Sequence, residues 1–96
     1  MANLTVVATI VAKPGCEKDV EALLTGLVEP SRRDKGCLLY DLHRSADQPG
    51  VFLFYETWES KQLLDAHLGT PHLLAMREKL GPLAQSTEIK LLEKIS

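Results

Sequence analysis

Three short runs in the chain, VVATIVA from Val6, CLLY from Cys37 and VFLFY from Val51, are apolar at consecutive positions rather than at alternate ones. Side chains on a strand point to opposite faces in turn, so each run offers an apolar surface on both sides of a sheet. Such a sheet has to be covered twice. The helical segments between the strands supply one layer, which leaves the second face for another copy of the chain. A symmetric homodimer packed sheet against sheet is the simplest closure.

The elements follow from period and punctuation. Leu4–Ala12 is a strand rich in β-branched residues that stops at Lys13-Pro14-Gly15. From Glu17, the apolar positions Val20, Leu23, Leu24, Leu27 and Val28 form one helical stripe, with acidic residues early and Arg32, Arg33 and Lys35 late. Pro30 implies a kink or a tightened final turn before Gly36 ends the helix. Cys37–Arg44 and Val51–Trp58 are strands joined by the turn-forming segment Ser45 to Gly50, hence an antiparallel pair. Ser60 caps a short helix, Lys61–Leu68, which stops at Gly69. Thr70 and Pro71 then start another, reaching Leu80 before Gly81-Pro82. Thr87 to Ile95 reads as the last strand. This order is the split βαβ, ferredoxin-like arrangement, an α+β fold with an antiparallel sheet and helices on one face. A chain of 96 residues has room for one such domain, spanning residues 1–96, and not for two cores.

The net charge of −2, with eleven basic and thirteen acidic residues interleaved, provides no basic stripe for nucleic acid or anionic lipid. The N-terminal segment lacks a basic leader, and no window approaches a membrane span, so a cytoplasmic location is expected. Cys16 and Cys37 flank the long helix, whose length of roughly 30 Å far exceeds the reach of a disulfide, so both are expected to stay reduced.

The segment VFLFYETWESKQLLDAHLGTPHL concentrates the chemistry. Phe54, Glu56 and Trp58 share one strand face. His67 closes the first short helix, and His72 is the second residue of the next, on the other side of the Gly-Thr-Pro break. These histidines lack the i, i+4 spacing of a metal pair, and no carboxylate nearby completes a facial triad, so no metal is expected. An amphipathic aromatic, a carboxylate and a near-neutral base converging between sheet and split helix suit a flat, proton-exchanging ligand. His43, on the face of Leu39 and Asp41, reads as a surface or interface residue.

The runs GCLLYDLHRS, FLFYETWES and AHLGTPHL resemble the antibiotic biosynthesis monooxygenase family, near its quinol monooxygenase-like members, over essentially the whole chain. The most specific parts are Tyr55 to Trp58 and Ala66 to His72. The resemblance implies a dimeric α+β barrel with a pocket in each subunit. It also implies oxidation of a quinol-type or polycyclic aromatic by O2 without metal or bound flavin. His67 would then be the general base, with Trp58, Glu56, Phe54 and His72 around the substrate. Two family features are missing. Anthrone-oxidising members have an asparagine where Phe54 stands, and haem-degrading relatives use one in the first strand, where Ala8 and Thr9 lie. A non-catalytic dimer binding a small hydrophobic ligand in the same pocket is the alternative.

Overall fold

The computed structural model describes residues 3–96. Within it, the strand Val51–Trp58 (β3) decides what the sheet buries. Phe52, Phe54, Glu56 and Trp58 are buried, whereas Val51, Leu53 and Thr57 are half-buried and Tyr55 is exposed. β3 lies between Cys37–Arg44 (β2) and Leu4–Ala12 (β1), and Ala84–Glu93 (β4) completes an antiparallel sheet in the order β2-β3-β1-β4. Helices Glu17–Arg32 (α1), Lys61–Leu68 (α2) and Pro71–Leu80 (α3) close the split βαβ arrangement. Val20, Leu24 and Leu27 of α1, Leu64 of α2 and Leu73 and Leu80 of α3 join Val6, Ile10, Phe52, Phe54 and Trp58 in one apolar core. Burying each large side chain of this kind contributes roughly 1.5–3 kcal/mol.

Two local features aim side chains at the site. Beyond Pro30, the backbone N–H groups of Arg33 and Asp34 donate to the carbonyls of Pro30 and Ser31 at 3.2 and 3.0 Å, a tightened 3₁₀-type exit. Gly36 then takes φ +87°, and a Cβ there would lie 2.5 Å from Leu63 Cδ1. Only glycine permits both the left-handed backbone and this approach to α2. The second feature is the α2–α3 break. The Ser60 hydroxyl accepts from Leu63 N–H, and the Thr70 hydroxyl accepts from Leu73 N–H while donating to the His67 carbonyl at 2.8 Å. Thr70 therefore ties the end of one helix to the start of the next, and Pro71 occupies the first turn, where no donor is lost.

β4 runs from Ala84 to Glu93, three residues earlier than Thr87 at its start and short of Ile95 at its end. Ala84-Gln85-Ser86 has little strand character of its own, and its pairing is set by β1, whose Ala12 lies opposite Ala84 and whose Leu4 lies opposite Glu93. The sheet face away from the helices carries half-buried Val7, Val11, Leu39 and Leu53 and exposed Tyr55. His43 is exposed on that face, paired with Leu53. Cys16 and Cys37 are both free. Among the described residues, no helix is long and apolar enough to cross a membrane.

Candidate active site

A cavity of about 480 Å³ lies between the sheet and the helix pair α2–α3. Its walls are apolar: Val6, Ala8 and Ile10 of β1, Phe54 of β3, Leu64 and Leu68 of α2, Leu73 and Met76 of α3, and Ile89 and Leu91 of β4. Three polar side chains, Tyr40, Glu56 and His67, reach it from the floor, and Lys61, Asp65 and Arg77 also border it. A concave, mostly apolar space with a few polar groups is the usual form of a small-molecule site.

His67 is 2% exposed because it closes α2 on the buried side of the break. Its ring packs on Trp58 at a centroid distance of 4.5 Å and an angle of 34°, and meets Tyr40 edge-on at 5.5 Å. Nδ1 lies 2.7 Å from Asp34 Oδ2. A carboxylate accepts, so Nδ1 carries the proton and Nε2 keeps a lone pair. Burial lowers the imidazole pKa below its ordinary value, and the Asp34 carboxylate pulls in the opposite direction. The neutral form is thus favoured, as a base requires.

Glu56 is 4% exposed and accepts a hydrogen bond from the Trp58 indole N–H at 2.9 Å. Burial pushes its carboxyl up to about 7, against the lowering effect of that hydrogen bond. Among the described residues, the only buried side-chain polar atom with neither a partner nor contact with open space is the Ser31 hydroxyl. His67 Nε2 and the second oxygen of Glu56 have no protein partner, so both reach open space, and both residues line the cavity. Tyr40 lies opposite Glu56 in the β2–β3 register, and burial together with Glu56 raises its phenol pKa.

Phe54, Glu56 and His67 all line the cavity. Trp58, fully buried, stands one layer behind, where it holds Glu56 through its N–H and His67 through its ring. His72 does not line the cavity. Its Nε2 lies 2.8 Å from the same Asp34 oxygen that His67 uses. The two histidines therefore converge instead of facing apart, and the carboxylate that completes the group is Asp34 of the α1–β2 loop. That removes the ground on which a metal cluster was excluded. Sequence reading missed Asp34, whose Asp-Lys-Gly setting reads only as a helix exit. It also missed Tyr40, which the alternation of β2 could have placed opposite Glu56.

The sheet order, the split helix and the cavity between them define a ferredoxin-like α+β protein with an internal cavity. Within that class, the chain belongs to the antibiotic biosynthesis monooxygenase family, whose model matches residues 3–79. It is similar to the crystal structure of PA3566 from Pseudomonas aeruginosa, with 35% identity, a TM-score of 0.96 and coverage of 100% of this chain and 97% of that one. The Mycobacterium tuberculosis protein Rv0793 is 36% identical over 80 residues, 83% of this chain and 78% of its own length. The Rv0793 structure superimposes with a TM-score of 0.92. The Synechocystis protein sll1783 is 34% identical over 89 residues, 92% of this chain but only 60% of that protein.

Proposed function

We propose that the protein is a cofactor-independent monooxygenase acting on a small quinol-like or polycyclic aromatic, with His67 as the general base. Membership of the monooxygenase family supports the reaction class, and the name of Rv0793 provisionally assigns that relative to the monooxygenases too. The observation that carries the proposal is the pairing, in one apolar cavity, of a neutral imidazole with a free Nε2 and a carboxyl whose pKa lies near 7. Nε2 takes the acidic proton of the substrate, and protonated Glu56 donates a hydrogen bond to the oxyanion that forms. The resulting electron-rich carbon reacts with O2. Oxidation of a ring methylene to a carbonyl releases four electrons, which reduce one O2: one oxygen atom stays in the product and the other leaves as water. The apolar walls exclude bulk water from the anion.

The functional unit in this reading is a cytoplasmic homodimer; the dimer is supported by Val7, Val11, Leu39 and Leu53, which stand half-buried on the outer sheet face. Oxygen uptake with a panel of hydroquinones and anthrones, in chelator and without flavin, tests the activity. Uptake with at least one member, with product oxygen labelled from ¹⁸O2, is the expected result. Tight binding of such ligands with no uptake across the panel contradicts the enzyme and leaves a non-catalytic ligand-binding dimer.

A further inference from the structure

Asp34, His67 and His72 each bring one possible ligand atom to a cluster within 4.8 Å, in which His67 Nδ1 and His72 Nε2 both lie against Asp34 Oδ2. The three residues come from the α1–β2 loop, the last turn of α2 and the first turn of α3. We propose that this cluster binds a divalent transition-metal ion of the zinc type, and that its occupancy switches His67 off as a base. Two imidazoles and a carboxylate are a donor set suited to zinc and its neighbours, with the fourth position left to water. Tetrahedral zinc with bonds of 2.0–2.1 Å keeps its ligand atoms roughly 3.3 Å apart. The hydrogen-bonded contacts of 2.7 and 2.8 Å therefore open by roughly half an ångström to admit the ion. The His72 side chain is 26% exposed and that of Asp34 15%, so the ion enters from outside. Neither residue lines the cavity. The ion stands behind His67 and touches no substrate.

The consequence follows from proton placement. A neutral imidazole carries one proton, and in the metal-free cluster the hydrogen bond to Asp34 keeps it on Nδ1. A metal ion takes the Nδ1 lone pair, so that proton moves to Nε2. His72 undergoes the opposite exchange, from Nε2 to Nδ1. Each ring keeps one proton and none is released. Nε2 of His67 then donates where it previously accepted, and it can no longer remove a proton from anything in the cavity. Binding itself depends only on the cluster; the loss of activity rests on His67 being the base, as proposed above.

The test uses the full chain, stripped with chelator and titrated with zinc alone. Calorimetry should find one zinc per chain at micromolar concentration, and ¹⁵N spectra of the imidazoles should report His67 changing from the Nδ1–H to the Nε2–H form. His72→Ala and Asp34→Asn should each weaken zinc binding by about tenfold or more, with circular dichroism checking that the helices are retained. On an active substrate, zinc should stop oxygen uptake and chelator should restore it. Absence of binding at millimolar zinc overturns the site, as does equal affinity in wild type and both variants. Binding with the tautomer change but undiminished oxygen uptake overturns the gating and, with it, His67 as the base.

Discussion

The His67 ring nitrogen Nδ1 lies 2.7 Å from a carboxylate oxygen of Asp34, which stands 33 positions earlier in the chain. The contact decides which face of the imidazole is basic, because a proton held on Nδ1 leaves the lone pair on Nε2. In the proposed reaction, Asp34 acts through His67 as a positioning residue. Asp34→Asn retains the size of the side chain but offers an amide donor to either nitrogen. It should lower turnover by about tenfold or more, with KM little changed. It should also move the acid limb of the pH profile down, since the carboxylate that raises the His67 pKa is gone. An unchanged acid limb would mean that Asp34 only holds the loop in place.

The α1–β2 loop reaches His67 because Gly36 packs on Leu63 at φ +87°. Gly36→Ala places a methyl group where Leu63 already lies and strains the backbone. It should destabilise the fold by roughly 1–3 kcal/mol. In denaturant titration, a midpoint equal to wild type would contradict this reading of the loop.

Activity should be bell-shaped in pH. His67 has to be neutral, so the rate rises through a pKa held below the ordinary 6.5 by burial. Glu56 has to be protonated to donate, so the rate falls again as pH passes about 7. Glu56→Gln should abolish the falling limb.

The same substitution has a stability signature. The folded-state pKa of Glu56, about 7, exceeds its ordinary 4.5, so the folded chain holds this proton more tightly. That contribution is fully present below the unfolded value and is lost as pH rises through about 7. Above that pH, glutamine at this position should stabilise by roughly 2–3 kcal/mol, while its amide oxygen still accepts from the Trp58 indole. Thermal melts at pH 8 that are no higher than wild type would show that the buried charge costs nothing.

Leu39→Glu puts a carboxylate on the outer sheet face opposite Thr57 of β3. If that face joins two copies, the charge is left unpaired on dimerisation, at several kcal/mol. Sedimentation should show about twice the chain mass for wild type and a monomer or an unfolded chain for the variant. A wild-type monomer at micromolar concentration rules the dimer out.

Elements governed by local rules were legible in the sequence. The stripe from Val20 to Val28, the Ser60 and Thr70 caps and the Gly69 stop set α1, α2 and α3, and the period of two put Phe54, Glu56 and Trp58 on one face. The family resemblance added His67. Contacts between distant segments were not legible. Nothing near Asp34 marks it as the partner of two histidines, because that depends on a glycine packing against Leu63. Trp58 supports the site from behind instead of lining it, since its buried ring is taken up by Glu56 and His67. The start of β4 depends on the length of β1 and not on the composition of Ala84 to Ser86.

Oxygen uptake by His67→Ala, measured beside wild type on a substrate that wild type oxidises, tests the central claim most directly. Removing a positioned general base should lower turnover by ~10²-fold or more, with the oligomeric state and the circular dichroism spectrum unchanged. The loss should shrink at high pH, where the substrate supplies its own anion. Near-wild-type turnover by His67→Ala at neutral pH would contradict the assignment of His67 as the base.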